Sequence, residues 1–296
     1  MKIGYVSIIG KPNVGKSTLI NNILDKKVSI ATFKPQTTRN KIYASYQDED
    51  SQIIFIDTPG FHNSKNKLDL FLNSEVKSSL KKSETCIFLT DPSREFDDED
   101  FDLVKQINSF NIKNVICLIN KIDICEQNEI EDRYAFIQKQ YPNFIIKKIS
   151  ATNNKEVKKV IKDLKNILED SDHPLFENIE DLDSSDEFMI NEIVREKILL
   201  NFQQEVPYSV AVVTQKISYD KEKNLTKIYA DIIVEKESQK PIIIGKGGTM
   251  IKKIGTLARE ELLEIYSSRI FLELNVKVRK NWRNDNEQIK SFGYKK

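Results

Sequence analysis

The sequence predicts an α/β domain with a mainly parallel, six-stranded sheet, followed by a smaller α+β domain. Apolar runs in residues 1–169 alternate with helical patterns, as they do in parallel sheets that are covered on both faces. Short polar motifs directly follow the predicted strands, which is where open α/β sheets bind ligands. An acidic stretch then separates this alternation from a second set of elements that has a different order.

The first domain, residues 1–169, begins with an apolar strand that ends at Gly10, and a helix begins after the loop that follows it. Two strands joined by a polar turn then form a hairpin, so one strand of the sheet is antiparallel. Strand and helix alternate from there on. The predicted strands are residues 3–9, 41–47, 52–56, 85–90, 114–119 and 144–149, and the later predicted helices are residues 68–82, 97–110, 129–141 and 157–168.

Composition indicates a globular chain that is long enough for two domains. Of the 296 residues, 39% are hydrophobic and 31% are charged, and no apolar run approaches the ~20 residues of a membrane span. The cysteines, Cys86, Cys117 and Cys125, form neither a disulfide framework nor a metal-ligand pattern, which fits a reducing compartment. Because the first strand starts directly after Met1, we expect no signal peptide and a cytoplasmic location.

Charge is distributed unevenly along the chain. Residues 169–192 include ten acidic residues and no Lys or Arg. Within them, residues 170–184 are predicted to be a solvated linker between the domains. Residues 240–296 include thirteen basic and six acidic residues, which suggests an anionic partner.

The second domain, residues 185–296, is predicted to have the element order α-β-β-α-α-β. A charged turn joins its first two strands as a hairpin. An apolar segment that could be a strand or a helix then leads into a glycine-rich loop, and a basic tail containing Trp282 ends the chain. The predicted helices are residues 186–202 and 256–266, and the predicted strands are residues 208–218, 226–234 and 270–278.

A phosphate-binding loop joins the first strand to the first helix, with the pattern Gly10-x-x-x-x-Gly15-Lys16-Ser17. Its glycines allow sharp bends, so the N–H groups of the loop and of the helix start converge on a volume that suits a phosphate. Lys16 adds positive charge, and the Ser17 hydroxyl is placed to bind Mg²⁺. The predicted nucleotide-binding residues here are Gly10, Lys11, Pro12, Asn13, Val14, Gly15, Lys16, Ser17 and Thr18.

Motifs that follow two later strands predict which base the nucleotide carries. Asn120-Lys121-x-Asp123 supplies a carboxylate that can accept hydrogen bonds from N1–H and the 2-amino group of guanine, a donor pair that adenine lacks. Asn120 can brace the loop, and the Lys121 stem can lie along the base. Ser150 and Ala151 follow the next strand, and we expect their backbone N–H groups to complete the base pocket. This motif disfavours the alternative of a P-loop kinase or ATPase.

A third motif, Asp57-x-x-Gly60, predicts contacts to Mg²⁺ and to the γ-phosphate. Its glycine can also change conformation with the nucleotide state. Thr38 is our choice for the threonine that closes over Mg²⁺, with Thr37 as the alternative. The predicted metal ligands are Ser17, Thr38 and Asp57, and Thr58 and Pro59 join Asp57 and Gly60 in the predicted GTP site.

Further motifs extend over both domains of the chain. They are Pro35-Gln36-Thr37-Thr38-Arg39, Asp57-Thr58-Pro59-Gly60-Phe61-His62, Phe188-Met189-x-x-Glu192-Ile193-Val194-Arg195-Glu196-Lys197, Ile244-Gly245-Lys246-Gly247-Gly248 and Phe292-Gly293-Tyr294. Together the motifs resemble those of translation-factor-related GTPases, and over essentially its whole length the chain resembles the Era family of bacterial GTPases. The resemblance implies GTP hydrolysis with Mg²⁺, binding of the 3′ end of 16S rRNA, a role in assembly of the small (30S) ribosomal subunit, and peripheral association with the cell membrane. We expect a monomer that binds no DNA.

The sequence shows no obvious side chain that could position the attacking water for GTP hydrolysis. Many small GTPases have Gln directly after the glycine of this motif, but here the residue is Phe61. His62 follows, either as a general base or as an ordinary surface histidine. Asn13 resembles the asparagine that helps to hold K⁺ beside the phosphates in some relatives, so K⁺ is a candidate cofactor. We predict slow turnover, with Lys16, Thr38, Gly60 and Asn13 as the catalytic residues.

The glycine loop of the second domain predicts RNA binding. Gly-x-x-Gly loops of KH domains approach the backbone of single-stranded RNA closely, and the element order resembles a type II KH domain. The alternatives are a binding module without meaningful GTP turnover and a GTPase directed at tRNA. The predicted RNA-binding residues are Ile244, Gly245, Lys246, Gly247, Gly248, Lys252, Lys253 and Arg279.

Overall fold

The computed structural model divides into two compact units, with the boundary between residues 183 and 184 and with residues 66–68 grouped with the second unit. His62, for which the sequence left two roles open, lies outside the described residues. The structure describes residues 1–32, 34–61, 63–110, 112–177 and 185–294.

The first unit is built around one sheet. Its described strands are β1 (Lys2–Ile9), β2 (Ile42–Gln47), β3 (Ser51–Asp57), β4 (Thr85–Thr90), β5 (Asn114–Ile119), β6 (Ile145–Lys148) and β7 (Glu169–Asp170). The order is β2-β3-β1-β4-β5-β6, with β7 paired antiparallel to β1. β2 is also antiparallel, and the other pairs are parallel. The predicted mainly parallel sheet is confirmed, and the two-residue β7 is an addition to the six predicted strands.

Helices cover both faces of this sheet. The helices are α1 (Lys16–Leu24), α2 (Lys67–Lys82), α3 (Asp98–Ser109), α4 (Gln127–Gln140) and α5 (Asn154–Ile167). Apolar residues of α1 and α5 pack on one face with Ile87 of β4, and those of α2, α3 and α4 pack on the other face with Phe88. Neighbouring residues of a strand point to opposite faces, so a strand covered on both faces is apolar throughout.

The beginning of the predicted linker is attached to the first unit. The Ser171 N–H donates to the Met1 carbonyl oxygen at 2.9 Å. The side chain of Gln52 in β3 bonds both backbone groups of Phe176, at 3.0 and 2.9 Å. These contacts tie the described residues 170–177 to the first unit, and most of their side chains remain exposed. The solvated linker over residues 170–184 stays a prediction.

The second unit has the predicted order of elements, followed by one additional helix. Its helices are α6 (Asp186–Asn201), α7 (Gln239–Ile244), α8 (Thr249–Ile265) and α9 (Asn286–Ser291), and its strands are β8 (Ala211–Asp220), β9 (Leu225–Val234) and β10 (Arg269–Val278). β9 lies between antiparallel β8 and parallel β10. The segment before the glycine loop is a helix, which settles the alternative left open by the sequence, and α8 begins earlier than predicted. Among the described residues, no helix has both the length and the apolar character needed to cross a bilayer.

The basic tail of the second unit, for which the sequence predicted no elements, is folded. Trp282 is fully buried, and its indole N–H donates to the Ser209 carbonyl oxygen at 2.9 Å. Tyr294 stacks on the Trp282 ring and Phe292 meets it edge-on. Asp285 caps α9 by accepting hydrogen bonds from two backbone N–H groups. The tail folds because three aromatic rings, spread among charged residues in the sequence, share one apolar site.

Candidate functional site

The loop between β1 and α1 surrounds a small cavity. Asn13 and Gly15 adopt left-handed backbone conformations, with φ of 66° and 104°. A Cβ at Gly15 would clash with the side-chain nitrogen of Asn120, so this position needs glycine for space as well as for conformation. Loop residues lining the cavity are Pro12, Asn13, Gly15, Lys16, Ser17 and Thr18, joined by Thr37, Thr38 and Gly60.

Lys16 is buried beside this cavity. Its ammonium group donates to the carbonyl oxygens of Gly10 and Lys11 at 3.0 and 2.8 Å. Burial lowers the pKa of Lys16 to about 8, although the nearby Asp57 carboxylate acts in the opposite direction. A buried cation of this kind is stabilised by an anion, and a phosphate in the cavity would provide one.

The predicted metal ligands meet at one carboxylate. Asp57 Oδ2 accepts hydrogen bonds from Ser17 at 3.0 Å and from Ser29 at 2.8 Å, and the Thr38 hydroxyl lies 3.0 Å from that of Ser17. Burial raises the pKa of Asp57, opposed by the Lys16 charge and the serine hydroxyls. Its other oxygen, Oδ1, is buried without a hydrogen-bond partner in the described structure. A hard oxygen set with one unused carboxylate oxygen fits Mg²⁺.

The geometry distinguishes the two candidate threonines. The Thr38 side chain is buried within the group formed by Ser17 and Asp57. The Thr37 hydroxyl instead lies 2.7 Å from the Thr32 hydroxyl and donates to the Lys34 carbonyl oxygen at 2.6 Å. These contacts favour Thr38 as the threonine beside the metal site.

Asn120 joins the phosphate loop to the base loop. Its side-chain nitrogen donates to the Val14 carbonyl oxygen at 2.7 Å, and its oxygen accepts from the Ala151 N–H at 2.8 Å. The Ser150 N–H donates to the Glu156 carboxylate. In this structure the two N–H groups that we expected to reach guanine are therefore used by protein side chains. Sequence motifs place these residues at the pocket but do not show which atoms already have partners.

Sequence reasoning missed the segment that follows β4. Asp91 accepts from the Lys121 ammonium group at 2.7 Å, and although burial opposes it, this bond and those from Ser93 lower the pKa of Asp91. Arg94 lies 3.6 Å from Asp91 and donates to the Pro12 carbonyl oxygen at 2.9 Å. The segment thus connects the base loop to the phosphate loop. Its position after a strand, like that of the other motifs, is the signal that could have revealed it.

The predicted role of Lys11 is only partly supported. Its ammonium group lies 2.7 Å from Asp100 and 3.0 Å from Asp97, and it donates to the Glu95 carbonyl oxygen at 3.2 Å. The side chain therefore binds near the start of α3 instead of entering the phosphate cavity. Only the backbone of Lys11 belongs to the loop, where its carbonyl oxygen accepts from Lys16.

The segment after β3 is packed closely against the phosphate loop. A Cβ at Gly60 would lie 2.7 to 2.8 Å from atoms of Pro12. The Thr58 hydroxyl donates to the Ile8 carbonyl oxygen at 2.7 Å. Phe61 is 9% exposed and belongs to the apolar cluster that includes Phe88. Phe61 is thus a core residue and cannot position water. Thr58 and Pro59 lie directly before Gly60 in the chain. The predicted base-binding residue Asp123, in the base loop, is exposed.

The glycine loop of the second unit is open to solvent between α7 and α8. Gly247 has φ of 62°, and a Cβ there would meet no atom within 4 Å. The requirement for glycine at this position is conformational, and the space beside it is free for a ligand. Ile244 is half-buried at the end of α7, as are the flanking glycines Gly245 and Gly248. The predicted basic contacts, Lys246, Lys252, Lys253 and Arg279, are exposed.

Comparisons with known proteins match both units of the chain. A family model described as "50S ribosome-binding GTPase" matches residues 5–121, and a KH domain model matches residues 205–283. The GTPase Era of Ureaplasma parvum serovar 3 is 47% identical over 99% of this chain and 98% of its own length. That of Ureaplasma urealyticum serovar 10 is 45% identical with the same coverage.

Two solved structures match along the same extent. An Aquifex aeolicus Era variant bound to GDP and AlF₄⁻ superposes with a TM-score of 0.93, at 38% identity and 99% coverage of both chains. Era in complex with MgGDPNP and nucleotides 1506–1542 of 16S ribosomal RNA gives the same values. Sequence identity over the full length, the paired domain models and the shared fold agree, and the chain belongs to the Era family of GTPases.

Proposed function

We propose that this chain is a GTP-hydrolysing switch that binds the 3′ end of 16S rRNA through its second domain and acts in assembly of the small (30S) ribosomal subunit. The observation that carries the proposal is the Asn120 side chain, which bonds the phosphate loop and the base loop at once. That link holds the base loop next to the phosphate loop, which supports a guanine-reading role for the motif at residues 120–123. The Era complex with MgGDPNP and 16S rRNA supports the pairing of these two ligands.

Each motif has an assigned role in nucleotide binding. Ser17, Thr38 and Asp57 would hold Mg²⁺, which supplies positive charge to the phosphates when it is bound. Lys16 adds a second cation, which is already buried and oriented by two carbonyl oxygens. The Asp123 carboxylate accepts hydrogen bonds from guanine. Affinity for GTP well above that for ATP tests the assignment, and equal affinities would favour the kinase or ATPase alternative.

Turnover is proposed to be slow and stimulated by K⁺. Phe61 is packed in the core, so the residue that follows Gly60 contributes nothing to the attacking water. Asn13 lines the phosphate cavity, where a cation would stabilise charge that develops on the transferring phosphoryl group. We expect several-fold faster GTP hydrolysis in KCl than in NaCl at equal ionic strength. Equal rates in the two salts would remove K⁺ from the proposal.

RNA binding is assigned to the loop at residues 245–248. Gly247→Asp adds a negative charge and a strained backbone in an open position, so we expect at least a tenfold loss of affinity for a 16S 3′-end oligonucleotide. Affinity for GTP should stay within twofold. Gly293→Asp is the matched control, because Gly293 also has positive φ, of 91°, and no atom near a Cβ. Similar losses in both variants would contradict the assignment.

A direct test of the whole function compares multiple-turnover phosphate release with and without this oligonucleotide. Release by the full chain supports a hydrolase, whereas binding without release supports the alternative of a GTP-stabilised module. Crosslinking and sequencing of the RNA bound in cells distinguishes 16S rRNA from tRNA as the partner. Fractionation of the same cells tests the proposed cytoplasmic location with peripheral association at the membrane. Sedimentation of the purified chain tests whether it is a monomer.

A further inference from the structure

The outer face of α5 carries four exposed lysines, Lys155, Lys158, Lys159 and Lys162. We call this group the α5 lysine face. The residues are spaced three and four apart, so their side chains project from one side of two helical turns, with neighbouring Cβ atoms about 5–6 Å apart. Within the described part of the chain, none of the four ammonium groups has an ion-pair or hydrogen-bond partner.

Acidic residues near this face are engaged elsewhere. Asp163 of α5 pairs with Lys147 at 3.1 Å, and the Glu156 carboxylate accepts the Ser150 N–H. Asp25, at the end of α1, is the remaining carboxylate in the adjoining groove. The positive charge of the four lysines is thus largely uncompensated, and repulsion among them costs free energy unless an anion is present.

A groove between α1 and α5, lined by both polar and apolar side chains, adjoins the face. Lys158 and Lys162 line one side of it, together with Asn154. Asn22 of α1 and Tyr46 of β2 line the other parts. The Asn22 amide already donates to the Ala151 carbonyl oxygen, and the Tyr46 hydroxyl donates to the Asp48 carboxylate. The lysines are therefore the groups that would contact RNA, through its phosphates.

We propose that the α5 lysine face and this groove bind the phosphate backbone of a second RNA segment, so that the first unit makes an RNA contact of its own. We favour RNA over an anionic membrane as the ligand because the apolar side chains of α5 are not available to lipid. Val157, Ile161 and Leu164 are all buried in the core. An interfacial membrane helix needs apolar side chains on the surface that meets the lipid, and α5 has none among its exposed large residues.

This inference rests on the proposed RNA-binding function and extends it to a separate surface. Two weak contacts on one RNA reinforce each other, because the second forms within an existing complex at high effective concentration. The contact would also bear on the nucleotide, since α1 begins in the phosphate loop and α5 begins just after Ser150 and Ala151. RNA held in the groove would touch two helices whose first turns adjoin the GTP site.

The test uses the full chain with all four lysines of the face changed to Gln, which removes charge and keeps helix propensity. The control changes Lys77, Lys81, Lys105 and Lys139, which are exposed on helices covering the other face of the sheet, to Gln. Both variants have the same net charge. Equal melting temperatures, within 2 °C or so, confirm that both fold, since exposed charge changes have small effects on stability.

We expect the face variant to bind full-length 16S rRNA about tenfold more weakly than the wild type, while the control variant stays within about twofold. The slope of log Kd against log salt concentration should fall by about 2–3, as expected for the loss of four phosphate contacts. A short 16S 3′-end oligonucleotide, used as the ligand of the second unit alone, should bind both variants equally.

Three outcomes overturn the inference. One is full-length RNA binding and salt dependence equal to those of the control variant. Another is an equal loss on the short oligonucleotide, which would indicate a general charge effect. The third is loss of binding to phosphatidylglycerol vesicles with RNA binding intact, which would identify a membrane surface. Failure of the wild type to bind the short oligonucleotide would instead overturn the proposed function, and the two failures are therefore distinguishable.

Discussion

Replacing Phe61 by Gln should not create a more active GTPase. The position follows Gly60, where many small GTPases carry the glutamine that orients water. In this chain, however, the side chain is 9% exposed and packs with the cluster that includes Ile9 and Phe88. A glutamine there would lie in the core with its amide facing apolar groups, and nothing in the geometry directs it to the phosphate cavity.

The expected cost follows from this burial. Removing a buried Phe side chain down to Ala typically costs about 3–5 kcal/mol, of which the two methylenes of Gln recover part. A buried amide without partners adds about 1–3 kcal/mol. The net loss for Phe61→Gln is therefore about 3–5 kcal/mol, a large share of the ~5–15 kcal/mol that stabilises a typical domain. For a unit of this size, each kcal/mol lowers the melting temperature by about 2–4 °C.

Thermal unfolding of the first unit and steady-state GTP hydrolysis measure the two effects. We expect Phe61→Gln to lower the melting temperature by about 6–20 °C and to leave kcat unchanged or reduced at temperatures where the variant is folded. Phe61→Leu, which keeps an apolar side chain, should lose about 1–1.5 kcal/mol and retain its activity. An increase in kcat for the Gln variant with unchanged stability would refute the assignment of this side chain to the core.

Three further predictions concern other parts of the chain. Thr38→Val should reduce Mg²⁺-dependent GTP hydrolysis at least tenfold, as measured in a Mg²⁺ titration, whereas Thr37→Val should stay within threefold; equal effects would contradict the choice of threonine. Arg94→Ala removes the hydrogen bond to the Pro12 carbonyl oxygen and should lower kcat about tenfold with little change in KM. Arg94→Lys should recover part of this loss, and the control Lys105→Ala should leave kcat and KM unchanged. Trp282→Ala should destabilise the second unit by about 3–5 kcal/mol in urea unfolding, and a smaller loss than 1 kcal/mol would show that the tail is not part of the core.

The elements of both domains could be predicted because their signals are local. A buried parallel strand must be apolar throughout, and the residues after it face solvent at a common edge of the sheet. Prediction was less accurate where a local pattern is interrupted or where the partners of a residue are distant in sequence. The start of α8 at Thr249 was missed because the glycines before it obscured the helical pattern. The fold of the tail was missed because Trp282 finds its hydrogen-bond partner far away in sequence, at Ser209.

Much of the nucleotide site could also be predicted from contiguous residues. A phosphate is bound by successive N–H groups of one loop, so the pattern from Gly10 to Ser17 carries its own geometry. The contacts of Asp91 and Arg94 could not be predicted in this way. Their partners, Lys121 and Pro12, lie 30 and 82 positions away in the sequence. Only the order of strands in the sheet brings these residues together.

Residue types and their spacing predict the chemistry of this protein: a loop for phosphate, an oxygen set for Mg²⁺, a carboxylate for guanine and a glycine loop for RNA. The folded chain sets which of these atoms remain available. It directs the Lys11 side chain to Asp97 and Asp100, and it places Thr38 instead of Thr37 beside Asp57. The physical reason is that residue type sets what a group can bind, whereas its partners in the folded chain determine whether it is free to do so.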